Sequence, residues 1–151
     1  MTGMVRRGLA LIAIGGLLVS CSAPGASAGG KGPISATLKE WQMSLSSTTL
    51  SAGKITFNIT NNGDKEHEFV IRKTDLQSDS LIKNADGEVS ENDPSLTAVG
   101  DPSEVAEIKS GSTDRTITVT LKAGHYVIFC NLHVEDLLHY QKGMHADFTV
   151  S

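Results

Sequence analysis

The stretch Gly124–Val150, GHYVIFCNLHVEDLLHYQKGMHADFTV, decides how the rest of the chain is read. Tyr126 to Cys130 is a short apolar run of strand type, and a last strand ends at Val150 with Phe148 and Val150 on one face. Between them Cys130, His139 and Met144 supply a thiolate, an imidazole and a thioether in that order, and His133 offers a further imidazole. Thiolate and thioether are soft donors, and imidazole is borderline. Two histidines, one cysteine and a weak axial methionine form the set that holds copper in electron-transfer centres. One imidazole from elsewhere would complete it, and His67 in GDKEHEFVI is the candidate.

Outward from that stretch the pattern stays strand-like. Ile34, Ala36 and Leu38 alternate with polar residues, and Met43 and Leu45 continue the two-residue period. After an Ala52-Gly53 turn, Ile55, Phe57 and Ile59 point one way while Thr56, Asn58 and Thr60 point the other. Asn61-Asn62-Gly63-Asp64 is a strong turn signal and predicts a hairpin-like reversal into a strand from His67 to Ile71. His67 then shares a face with Phe69 and Ile71, although on its own a histidine beside Asp64-Lys65-Glu66 reads as a surface residue. Glu104 to Ile108 and Arg115 to Leu121 are further strands. Seven or eight short strands with no long amphipathic helix predict an all-β fold, an antiparallel sandwich with Greek-key connections.

One segment breaks the rhythm. Lys73 to Pro102 is polar and rich in Asp, Ser and Asn, with at most a short helix around Leu76, Leu81 and Ile82. Its DGEVSEND stretch lacks the spaced acids of a calcium loop. The expectation is a solvated acidic loop, with partner docking as its candidate use.

The N-terminus reads as a targeting segment. Arg6 and Arg7 precede an apolar run from Gly8 to Val19, too short to span a bilayer as a lone helix. Leu18-Val19-Ser20-Cys21 matches a bacterial lipobox, which makes residues 1–20 a lipoprotein signal peptide and Cys21 the lipidated residue; the alternative is ordinary cleavage near Ala28. Residues 21–33 then form the lipidated cysteine and a flexible tether, SAPGASAGGKGP, ahead of a domain over 34–151. The expected location is extracytoplasmic, held at a membrane by the lipid. Cys130 is left as the lone thiol of an exported protein, and metal ligation competes there with burial as an inert small hydrophobe.

Charge excludes other classes. The chain of 151 residues carries a net charge of -4, and loss of residues 1–20 removes two arginines, leaving 11 basic against 17 acidic residues. That balance has no footing for nucleic acid, and an acidic surface suits solubility or a basic protein partner.

The segments HEFVI, YVIFCNL and HYQKGMHADFTV resemble the bacterial cupredoxins, small type 1 blue copper proteins related to plastocyanin, auracyanin, rusticyanin and sulfocyanin. The resemblance covers about residues 34–151. It implies a cupredoxin-like Greek-key β-sandwich, and one type 1 copper held by His67, Cys130, His139 and Met144. Many relatives read CNxPGHYxxGM; here His139 to Met144 keeps the second interval, but eight residues, Asn131 to Leu138, separate Cys130 from His139. His133 is therefore an alternative to His139, because two residues separate it from Cys130, the interval used in plastocyanin. Asn131 is expected to steady the loop through its amide beside the ligands or to serve as an ordinary loop cap. His125 and His145 read as exposed strand residues, and Trp41 and Tyr126 as core.

The function that follows is single-electron transfer between redox partner proteins, by a monomer that is not an enzyme. The competing reading is a copper protein for storage, delivery or sensing. A mature part with only Met43 and Met144 favours the carrier.

Overall fold

The computed structural model describes residues 32–134 and 136–151, so the expected signal peptide, Cys21 and nearly all of the expected tether lie outside the described residues. Twelve strands follow one another: β1 (Ile34–Lys39), β2 (Gln42–Leu45), β3 (Thr49–Leu50), β4 (Gly53–Asn61), β5 (His67–Lys73), β6 (Thr97–Ala98), β7 (Glu104–Ile108), β8 (Arg115–Leu121), β9 (Gly124–Phe129), β10 (His133–Val134), β11 (Leu137–Leu138) and β12 (His145–Val150). One sheet runs β2-β1-β4-β8; the other runs β3-β12-β9-β5-β6, with β7 also paired to β5. Eight of the twelve have four residues or more and form the body of both sheets.

The alternation read from the sequence sets the facing sides. Ala36 and Leu38, Phe57 and Ile59, and Ile117 and Val119 point inward from the first sheet; Phe69 and Ile71, Tyr126 and Ile128, and Phe148 and Val150 do so from the second. Phe57 touches Phe69 and Phe148 at ring-centre distances of 5.6 and 5.8 Å, joining the sheets at mid-depth. Burial of these side chains, at about 25 cal/mol per Å² of apolar surface, is the main force holding the sandwich.

Two expectations change. Most pairings are antiparallel, but β1 with β4 and β3 with β12 are parallel. The chain leaves the first sheet after β2, adds β3 to the edge of the second, and returns to run beside β1. The turn at residues 61–64 is likewise no hairpin, since β4 and β5 lie in different sheets. Asn61 makes that crossover: buried, it donates from Nδ2 to Lys65 O at 2.7 Å and Ile108 O at 2.8 Å, and accepts from Gly63 N at 2.9 Å.

The acidic segment is also more than a solvated loop, and contains no helix. Its Leu81, Val89 and Leu96 bury themselves with Val70, Val127, Phe129 and Tyr140 in a second cluster on the outer face of β5 and β9. Buried Arg72 on β5 pairs with Glu91 of that segment, and also bonds Ser103 Oγ at 2.9 Å. Isolated apolar residues in a polar stretch give no period to read, so the cluster was invisible to pattern.

Removing Asn61 leaves carbonyls and an N–H without partners at the crossover. Asn61→Ala is expected to destabilise the domain by about 2 kcal/mol, seen as a lower urea midpoint at unchanged slope.

Candidate metal centre

β5 and β9 are antiparallel neighbours, with Val70 opposite Phe129, so the start of one lies beside the end of the other. His67 opens β5 and Cys130 directly follows β9. A one-residue irregularity in the β5–β7 ladder falls between His67 and Phe69. There the Glu68 N–H turns to the Cys130 sulfur, 3.3 Å away. His139 arrives from the loop and precedes a short 3-10 turn over Tyr140–Lys142.

These three side chains meet. Cys130 Sγ lies 3.3 Å from His139 Nδ1 and 4.0 Å from His67 Nδ1, and the two Nδ1 atoms are 3.2 Å apart. All three residues are fully buried. An ion about 2.0–2.3 Å from nitrogen and sulfur donors would separate them by roughly 3.3–3.8 Å, so the spacing fits one metal. Among the described residues this is the group of donors able to hold such an ion.

The loop that delivers His139 is closed at its neck. His139 N donates to Leu132 O at 3.0 Å, and beyond the neck β10 and β11 pair with each other, His133 opposite Leu138. His133 is thereby carried away from the cluster; it is exposed, with Nδ1 3.6 Å from a Glu88 carboxylate oxygen. Met144 is buried, its N–H donating to His139 O at 3.1 Å while its carbonyl accepts from Cys130 N at 3.0 Å. Gly143 takes the left-handed φ of +110° that the reversal needs. Asn131 bridges outward: its amide accepts from Val89 N at 2.7 Å and donates to Val89 O at 3.0 Å, tying the acidic segment to the residue after Cys130.

Several neighbours had no signal in the sequence. Glu40, in the turn between β1 and β2, places Oε1 3.1 Å from His67 Nε2. Trp41 beside it sets its ring edge-on to His139, centres 5.1 Å apart, while also packing on the core. His139 Nε2 is buried and has no hydrogen-bond partner. Glu68 accepts from Asn131 N next to the cluster. His125 and His145 are half-buried rather than exposed: His125 bridges Thr74 O and Asp147, and His145 bonds Ser78 Oγ at 3.0 Å, anchoring the start of the acidic segment. Tyr126 is buried core, as read.

Burial governs protonation here. It pushes the Cys130 thiol up to about 12, with the Glu68 carboxylate adding to the rise and backbone N–H groups opposing it. It pulls His139 down to about 4, helped by the neighbouring His67, and lowers His67 against the attraction of Glu40. Desolvation lifts Glu68 to about 7, against the Asn131 hydrogen bond. The metal-free cluster is thus a neutral thiol beside neutral imidazoles.

No protein-family model matches the sequence, and no curated protein matches it. Solved structures do. Auracyanin B is similar with a TM-score of 0.52 and 19% identity, over 84% of this chain and 96% of that one. Auracyanin A, described as a blue copper protein from the green thermophilic photosynthetic bacterium Chloroflexus aurantiacus, gives 0.50 and 20%, over 80% and 100%. Rusticyanin gives 0.51 and 16%, over 78% and 75%. The fold is that of the cupredoxins.

The His139 and Cys130 shifts have consequences for stability. His139 binds its proton less tightly folded than unfolded, so stability falls as pH drops from about 6.5 towards about 4. Cys130 holds its proton more tightly when folded, so stability also falls as pH rises from about 9 towards about 12. Glu68, raised to about 7, runs the other way and gains stability as pH drops through the acid range, so the His139 contribution is read as a difference: from about pH 6.5 towards 4 the urea midpoint of the metal-free protein should fall relative to that of His139→Gln.

Proposed function

We propose that this chain is a blue copper protein that binds one type 1 copper ion through His67, Cys130, His139 and Met144 and carries single electrons between redox partner proteins. The observation that carries the reading is the dry cluster of one thiol and two imidazoles at 3.2–4.0 Å. Thiolate, imidazole and thioether are the donors that suit copper in such centres. Auracyanin A, whose fold this chain shares, is itself described as a blue copper protein.

When bound, copper supplies a one-electron couple; the protein supplies the rest. Cys130 must release its proton to ligate, and the Glu68 N–H then stabilises the thiolate charge by a hydrogen bond. Burial disfavours the imidazolium form of His67 and His139, so each would ligate through Nδ1 with its single proton on Nε2 and no net proton to lose. Cys130 and Met144 are locked to each other by the bond between Cys130 N and Met144 O, and His67 is fixed in a ladder. Such a cage changes little between oxidation states, which is what fast electron transfer requires.

The site of action follows from the first residues. Residues 1–20 serve as the signal peptide, Cys21 carries the lipid, and residues 22–33 tether a monomeric domain, residues 34–151, at a membrane surface outside the cytoplasm.

Copper titration of the chain from Ser22 onward tests the centre. One equivalent of Cu(II) should give an intense thiolate-to-copper band with narrow hyperfine splitting, lost in Cys130→Ser and His139→Ala but kept in His133→Ala. A folded protein without that band would end the electron-carrier reading. A band that His133→Ala abolishes would replace His139 in the ligand set.

The anchor is tested separately in cells. Cys21→Ser should lose lipid labelling and leave the membrane fraction; retention there with no change in labelling would remove the lipoprotein proposal.

A further inference from the structure

Glu40 lies 27 residues before His67 in sequence, yet its carboxylate sits in a receptacle made for it. Its Oε1 accepts from Lys65 N at 2.7 Å and its Oε2 from Asp64 N at 3.1 Å, so two successive backbone N–H groups of the crossover turn point into it. Successive N–H groups presented this way form an anion-binding concavity. Gly63 leaves the space: a Cβ there would come within 2.5 Å of both carboxylate oxygens. The remaining direction of Oε1 is filled by His67 Nε2 at 3.1 Å.

The imidazole is held from both sides. Nδ1 of His67 faces Cys130 and His139, while Nε2 faces the carboxylate. A carboxylate accepts and cannot donate, so it demands the proton on Nε2 and leaves the Nδ1 lone pair for a metal. The two backbone N–H donors favour the charged carboxylate over the protonated acid. An anion hydrogen-bonded to a metal-bound imidazole strengthens that ligand and favours the more highly charged metal.

We propose that Glu40, seated in the Gly63-Asp64-Lys65 turn, is a positioning residue that fixes the tautomer of His67 and lowers the reduction potential of the copper centre by favouring Cu(II) over Cu(I). This rests on the copper reading of the site for the potential, though not for the tautomer. Gly63 acts through Glu40, because any side chain at position 63 displaces the carboxylate while leaving its charge in the chain.

Two measurements on the full-length chain test it. In metal-free protein, nitrogen-15 NMR should find His67 protonated on Nε2, and Glu40→Ala and Gly63→Ala should convert it to a mixture of tautomers. In the copper-loaded protein, Glu40→Gln should keep the thiolate-to-copper band and lose about tenfold in Cu(II) affinity relative to Cu(I), a rise of about 59 mV for a one-electron couple. Gly63→Ala should move the potential the same way, and Glu40→Asp, which keeps the charge on a shorter side chain, should give values between parent and Glu40→Ala in both measurements. A potential unmoved by Glu40→Gln, or a His67 tautomer unmoved by Glu40→Ala, would overturn the proposal. If the protein takes up no copper, the copper reading fails, while the tautomer in Glu40→Ala still decides the role of Glu40.

Discussion

Everything at one end of this sandwich depends on the exclusion of water from Cys130, His67 and His139. Each of these groups makes strong interactions with solvent when exposed, and each has lost them. Hydrogen bonds compensate only in part: His139 Nε2 has none, and the sulfur makes only weak ones, with the Glu68 N–H and with His139 Nδ1. Burying polar atoms so incompletely is costly. A cation between Nδ1, Nδ1 and Sγ would give those three atoms a strong common partner, and their spacing leaves room for one.

The surrounding structure serves that arrangement from two directions. From the first sheet, the turn between β1 and β2 brings Glu40 and Trp41 over the two imidazoles, one by hydrogen bond and one by its ring edge. From the second, the acidic segment is stitched to the residue following Cys130 through Asn131, and to β5 through Arg72. Carboxyl groups are thus held close to the cluster at Glu40, Glu68 and Glu91, each engaged in a defined bond, with burial favouring the protonated form of Glu68.

Pattern in the sequence reached some of this and not the rest, for physical reasons. Cys130, His139 and Met144 were legible because one loop carries them and the HYxxGM interval is local. His67 needed the family resemblance, since only tertiary structure brings it to the loop. The inward faces of the strands followed from alternation, as Phe57, Ile59, Ile117 and Val119 illustrate. The sequence NNGD announced a turn but carried no information about which sheet the chain enters next; the buried Asn61 decides that. Glu40 was hidden because its partners Asp64, Lys65 and His67 are far along the chain. The acidic segment misled because charge dominates its composition while three scattered aliphatic residues do its packing.

The bond from His139 N to Leu132 O has a consequence for how such a loop can vary between proteins. It shuts the excursion that contains β10 and β11 at its base, so Cys130 and His139 approach each other through the neck and not along the chain. Length beyond the neck is then decoupled from the geometry within it, and lengthening a loop adds only slowly to its closure entropy. The hairpin behaves as an interchangeable cassette. Divergence in its size and chemistry can accumulate at the edge of the centre while the donors stay where they are.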